Sequence, residues 1–137
     1  MKKLAIPAML LLSQLCSAAD LEKGFDCYSN KDYDCALKVL EPTADQAGAS
    51  TFQQTLLGIM YAKGQGVKQD YTKAAEYYRL AADQGNSDSQ TYLGLLYVNG
   101  QGVKQDKQQA RILFEQACEN EHPSACKNLK KLTKNEE

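Results

Sequence analysis

The chain carries no tryptophan, three prolines and a single histidine in 137 residues. The missing tryptophan excludes nothing, but the scarcity of histidine does. Without a second imidazole there is no histidine-based zinc site, no metalloprotease helix and little scope for a conventional catalytic triad. The one histidine, His122, lies in a Pro-containing turn, where a turn or capping role is the expectation. Basic charge is not concentrated either. Lys and Arg number 16 against 17 Asp and Glu, with no basic block, which argues against nucleic acid as a partner. Beyond Leu15 no apolar run is long enough to cross a bilayer, so stable membrane insertion is not expected.

The first residues read as an export signal. Lys2 and Lys3 form a basic head, and Leu4 to Leu15 an apolar stretch too short for a stable anchor. Ser17-Ala18-Ala19 supplies the small residues a signal peptidase reads, so cleavage is expected before Asp20. Residues 1–19 are then the signal, and 20–137 one modest domain, expected to be periplasmic or secreted and monomeric. A lipoprotein signal acylated at Cys16 is the rival reading. Leu15, where such signals carry a small residue, counts against it. Loss of the two lysines leaves 14 basic against 17 acidic residues, a charge of −3.

Four cysteines remain after cleavage: Cys27, Cys35, Cys118 and Cys126. An even number in an exported chain reads as disulfides, with three connectivities possible. Each local pair is eight positions apart, about the chain needed to leave one helix, turn and face it from the next. Cys27–Cys35 and Cys118–Cys126 are therefore the expected bridges. Metal would need four thiolates to converge, whereas these pairs stand at opposite ends of the chain. No metal and no cofactor is expected.

What the chain has in quantity is repetition. GQGVKQD occurs at Gly64–Asp70 and returns unchanged at Gly100–Asp106, an offset of 36. At that offset Gly58 falls on Gly94, Tyr61 on Tyr97, Ala74 on Ala110 and Ala81 on Ala117. A period of that length, with helical periodicity around each loop, means stacked supersecondary units. Helices are expected from Asp20 to Ser29, Asp32 to Gln46 (bent or split at Pro42), Ser50 to Lys63 and Asp70 to Gly85. Others follow over Ser87 to Asn99, Asp106 to Glu119 and Ser124 to Leu132. The repeats are 20–48, 50–85 and 86–121, with a capping helix over 124–133. Gly58 and Gly94 allow close helix approach, Gly64 is a C-cap, Val67 an anchor and Asp70 an N-cap.

The pattern Leu57-Gly58-x-x-Tyr61-x-x-Gly64-x-Gly66-Val67-x-x-Asp70-x-x-x-Ala74 resembles the Sel-one-like repeat (SLR) family, a relative of the tetratricopeptide repeat. It returns from Leu93 to Ala110, and the segment from Cys27 to Gln46 matches more loosely. The paired cysteines resemble those of the secreted, cysteine-rich members. The middle junction departs from them, with Ala82 and Gln90 where Cys118 and Cys126 stand one repeat later. The resemblance implies an all-α fold, a short right-handed solenoid of about two and a half hairpin repeats plus the capping helix. It also implies a concave face that binds a protein or peptide.

Transferring that geometry marks Phe52, Thr55, Ile59 and Lys63 in the central repeat and Asp88, Thr91, Leu95 and Asn99 in the next. Lys127 and Lys131 extend the row into the cap. A role in the core between repeats is the alternative for Phe52, Ile59 and Leu95. Tyr61 and Tyr97 are assigned to the seam. The glycines of GQG lack the preceding strand and third glycine of a dinucleotide fingerprint, and no Gly-Lys-Ser/Thr follows. The expected function is therefore non-catalytic binding of another protein. Family roles include a dedicated inhibitor or immunity protein for a co-encoded toxin, and a general envelope adaptor or assembly factor. A β-lactam-directed enzyme, a role linked to some cysteine-rich relatives, is the remaining alternative.

Overall fold

The computed structural model describes residues 17–135. The basic and apolar parts of the expected export signal, with Cys16, lie outside the described residues, as do Glu136 and Glu137. Within them are seven α-helices and no strand. These are α1 (Ala18–Ser29), α2 (Tyr33–Leu40), α3 (Thr51–Lys63), α4 (Tyr71–Asp83), α5 (Ser87–Asn99), α6 (Lys107–Glu119) and α7 (Pro123–Lys134). Each packs on the helix before it and the helix after it. The result is three antiparallel hairpins stacked side by side, with α7 laid on the last as a cap. A stack built only from neighbour contacts is a short solenoid.

Short polar residues open most of the helices. Asp70 accepts the Lys73 amide at 3.0 Å, Asp106 the Gln109 amide at 3.0 Å and Asn86 the Ser89 amide at 2.8 Å. Each satisfies a donor that the first helical turn leaves without a partner. At α1, Ser17 and Asp20 form a reciprocal capping box. The helix thus begins upstream of the expected cleavage point, and cutting before Asp20 would remove its cap. α7 starts one residue earlier than the sequence suggests, because Pro123 occupies a first-turn position where no amide donor is needed.

The predicted second helix ends early, at Leu40. Pro42 lacks the amide that an α-helix would need there, so a 3-10 turn, Glu41–Thr43, follows instead. That turn leaves Glu41 facing the next hairpin, where it accepts hydrogen bonds from the hydroxyls of Tyr61 and, at 3.2 Å, Tyr77.

The GQGVKQD segments are hairpin loops, and almost every residue in them has a structural task. Gly64 and Gly100 end their helices in the left-handed conformation. Gln69 donates to the Ala62 carbonyl at 2.7 Å and Gln105 to that of Val98 at 2.8 Å. Val67 and Val103 tuck back against the core. Inside each hairpin the close approach depends on a missing side chain. The Tyr78 ring lies on Gly58, and the Phe114 ring lies on Gly94, where an added Cβ would be 2.6 Å from it. Tyr78 and Phe114 are almost wholly buried by that contact.

Between hairpins the seam is polar. Gln53 donates to the Leu40 carbonyl, Gln54 to that of Ala44 at 2.8 Å and Gln90 to that of Ala82 at 3.3 Å. These carbonyls lie at or just past the C-termini of the preceding helices, where in-helix donors run out. The cysteines form two disulfides, Cys27–Cys35 and Cys118–Cys126, with Cα separations of 5.7 and 4.8 Å. The first closes the α1–α2 hairpin and the second ties α7 to α6. The middle junction carries the Gln90–Ala82 hydrogen bond in the same positions.

Candidate functional site: a groove along the first helices

The first helices of successive hairpins, α3 and α5, and the capping helix α7 line one side of the stack. Three depressions follow one another along it. The first, about 150 Å³, is lined by Phe52, Thr55, Leu56, Ile59, Asp88 and Tyr92, among others. The second, about 390 Å³, lies between Ile59, Lys63, Tyr78, Tyr92, Leu95 and Asn99. The third, about 260 Å³, is bounded by Leu95, Phe114, Asn128 and Lys131. Ile59, Tyr92 and Leu95 are shared between neighbours, so the three form one track.

Of the residues marked from sequence, Phe52, Thr55, Ile59, Lys63, Asp88, Leu95, Asn99 and Lys131 line this track. Lys127 is exposed on α7 and lines none of the three depressions. Thr55 and Thr91 are 7% and 3% exposed, and their hydroxyls are spent inside the protein. Thr55 bonds Ser89 at 2.7 Å and the Thr51 carbonyl at 2.6 Å. Thr91 donates to the Ser87 carbonyl at 2.8 Å. The two hydroxyls therefore belong to the seam, although the Thr55 side chain also walls the first depression.

Two aromatic residues were not marked. Tyr92, 38% exposed, stacks on Tyr78 and walls both the first and the second depression. Phe25 of α1, 46% exposed, meets Phe52 at a ring distance of 5.7 Å and carries the apolar strip past α3. The spacing Asp88, Tyr92, Leu95 is i, i+4, i+7, one face of a helix, and would have found Tyr92. Burial pushes the Tyr78 phenol well above its ordinary range, with Tyr92 nearby adding to it. Tyr92 is raised too, by burial first and then by Asp88.

Asp88 is held. Its carboxylate meets His122 Nε2 at 2.8 Å, while His122 Nδ1 lies 3.2 Å from the Thr91 hydroxyl and accepts the Ala125 amide at 3.4 Å. A carboxylate, imidazole and hydroxyl in a row resemble an acid–base relay. Here the imidazole caps α7 and the hydroxyl is buried and already donates to a carbonyl, so it is no exposed nucleophile. One Ser-x-x-Lys spacing, of the kind penicillin-directed serine enzymes use, also occurs at Ser124 and Lys127. Both residues are exposed at the start of α7, and neither lines the track. Among the described residues no three His, Cys, Asp or Glu side chains gather as a metal site would require.

Stacked helical hairpins with a continuous track along their first helices define a solenoid of the binding type. The Sel1 repeat pattern matches residues 54–86 and 87–122. Among solved structures, a Sel1 repeat protein from Oxalobacter formigenes is 30% identical over 80% of this chain and 44% of its own, with a TM-score of 0.72. A protective antigen of uropathogenic Escherichia coli, of SLR fold, is 32% identical over 86% of this chain and 26% of its own, with a TM-score of 0.74. Cysteine rich protein B of Helicobacter pylori is 30% identical over 82% of this chain and 86% of its own, with a TM-score of 0.65. This chain therefore belongs to the Sel1 repeat family. It spans less than half of the first two relatives and most of the third. No curated protein matches it.

Proteins of this family generally mediate protein–protein interaction and typically serve as non-catalytic scaffolds. The two disulfides suit an oxidising compartment outside the cytoplasm. No helix among the described residues is long and apolar enough to cross a membrane.

Proposed function

We propose that this chain is an exported, non-catalytic module that binds a segment of another protein along α3, α5 and α7. Residues 1–19 are its export signal, and 20–137 the working domain. The observation that carries the reading is the unbroken track of Phe52, Ile59, Tyr92 and Leu95, apolar along its floor and edged by Lys63, Asn99 and Lys131. Aromatic and aliphatic anchors inside a polar rim are what a protein-binding hot spot needs.

The test is affinity capture from envelope extract with the oxidised protein, beside a Phe52→Glu, Lys63→Glu variant. Both side chains are exposed, so the fold should survive the exchange. Asp88 is left alone because reversing its charge would break its bond to His122. A partner retained by the native protein and lost by the variant supports the reading; equal capture by both refutes it. One dominant, tightly held partner would make the module a dedicated inhibitor or immunity protein, and several weak ones an adaptor.

A further inference from the structure

The depression between α3 and α5 has a one-sided polarity. Its walls are apolar, formed by Ile59, Ala62, Leu95 and Leu96, and its volume of about 390 Å³ is within the range of sites that enclose a small ligand. The ionisable side chains that reach it are Lys63 and three phenols, Tyr71, Tyr78 and Tyr92; no Asp or Glu lines it. The Tyr71 hydroxyl accepts from the Gln69 amide at 3.1 Å, so its own proton remains to be given. Tyr78 is 3% exposed, yet neither its hydroxyl nor that of Tyr92 is bonded to any described residue. The raised phenol of Tyr78 stays protonated, hence a donor. The carboxylate nearest in sequence on this face, Asp88, is engaged by His122. Four donors, one of them cationic, thus line a largely apolar space in which the side-chain amides of Asn99 and Gln101 are the uncharged acceptors and no carboxylate answers the lysine.

We propose that this depression captures an Asp or Glu side chain, with an adjoining apolar residue, from an extended segment of the partner. The proposal rests on the groove reading above and names what the groove selects. One ammonium matches the single charge of a carboxylate and undercompensates a phosphate. A carboxylate taking bonds from Lys63 and from phenols in a sheltered space gains the stronger, charge-assisted kind of hydrogen bond. The apolar neighbour would cover Ile59 and Leu95. Lys131 repeats the positive sign in the next depression, so a second acid further along the segment would be accommodated.

The experiment pans a display library of random 12-residue peptides on the oxidised protein. Recovered peptides are then synthesised in pairs that differ by Glu→Gln or Asp→Asn, and binding is followed by fluorescence anisotropy. The expected result is an acid beside an apolar residue in the recovered set, with about tenfold weaker binding for the amide partner. Lys63→Met should erase that difference between the paired peptides. Tyr78→Phe should weaken the acidic peptide by about threefold or more while leaving the fold intact, because the hydroxyl it removes is bonded to no described residue. Peptides that bind the track but show no acid preference, or one that persists in Lys63→Met, overturn the proposal and leave the groove reading standing. Recovery of no peptide sensitive to Phe52→Glu overturns both.

Discussion

The two copies of GQGVKQD are identical in sequence and nearly identical in backbone, yet their second residues live differently. Gln65 is clamped, accepting from the Tyr28 hydroxyl at 3.1 Å and donating to that of Tyr33 at 3.3 Å. Gln101, its counterpart, receives only a long 3.4 Å bond from Asn99 and faces the central depression. The difference comes from the hairpin before. The first hairpin turns tightly at Asn30 and Lys31 and leaves two phenols beside the loop, whereas the second has Tyr71, whose hydroxyl accepts from Gln69 and makes no bond to Gln101. Repetition fixes the backbone and the anchors. The non-repeated neighbour decides whether a loop residue is locked or open.

The loops can be compared most severely at their second glycines. Gly102 and Gly66 both have positive φ and both rest on the second helix of the preceding hairpin. At Gly102 an added Cβ would run into the Tyr71 carbonyl, which is backbone and cannot swing aside. Gly102→Ala should therefore cost about 3–4 kcal/mol, combining left-handed strain with overpacking. At Gly66 the new atom would be 2.8 Å from the Cβ of Tyr33, with the Tyr33 backbone carbon at 3.1 Å. Gly66→Ala should cost about 2 kcal/mol, because the shorter, irregular hairpin can give a little. Urea unfolding of the two variants measures both, and equal losses would mean that the two loops are docked alike.

The junctions offer a second comparison. The Cys118–Cys126 bridge and the Gln90–Ala82 hydrogen bond occupy the same positions one repeat apart. Removing the bridge with Cys118→Ser and Cys126→Ser should cost about 2–3 kcal/mol in the chain-entropy account. Conversely, Ala82→Cys with Gln90→Cys should form a third disulfide under oxidising conditions and raise stability by about 2 kcal/mol. Mass spectrometry of the oxidised variant checks the bond, and its melting temperature the gain. A bridge that forms without raising the melting temperature would show that the middle junction is already rigid.

How much of this was readable beforehand depended on whether the residue's task was local. Pro42 announced a break in its helix because its missing amide is a property of the residue alone, and Asp70 announced a cap for the same kind of reason. Gly58 and Gly94 needed only the repeat to be read as points of close approach. The track was harder. The family pattern led to Thr91, whereas the lining of that helix steps through Tyr92, one position on. Threonine and tyrosine both suit a groove by composition. Only Ser89 and His122, brought up from the next hairpin and the cap, together with the Ser87 carbonyl one turn back in the same helix, decide that the threonine hydroxyls are spent in the seam.

The caps at equivalent positions give a smaller test. Asn86 opens α5 and His122 opens α7, one repeat apart, but only His122 also holds an acidic residue of the track. Asn86→Ala and His122→Ala should each cost about 1 kcal/mol through the lost cap. His122→Asn should restore the cap yet leave Asp88 released. If the track works as proposed, that variant keeps its stability and changes its preference for charged peptides. A stable variant with unchanged peptide preference would assign Asp88 a purely structural role.

The smallest effect separates Tyr61 from its counterpart Tyr97. Tyr61 gives its hydroxyl to Glu41, while Tyr97 accepts from the Arg79 guanidinium at 2.8 Å. Burial first, and then the Glu41 carboxylate, pushes the Tyr61 phenol from 10.0 up to about 12. Below pH 10 the phenol is protonated in both the folded and unfolded chains, so its raised value costs nothing. Between pH 10 and about 12 the unfolded chain releases the proton and the folded chain keeps it, which draws the equilibrium toward unfolding. Stability should therefore fall as pH rises through that window. Tyr77, raised by burial and by the same Glu41, should add to the fall. Tyr61→Phe should lose a little stability at neutral pH, through the missing bond to Glu41, and flatten the slope above pH 10. Urea midpoints taken across the window would decide it. Parallel slopes for the native protein and Tyr61→Phe would mean that the Glu41 pocket opens to water before the phenol titrates.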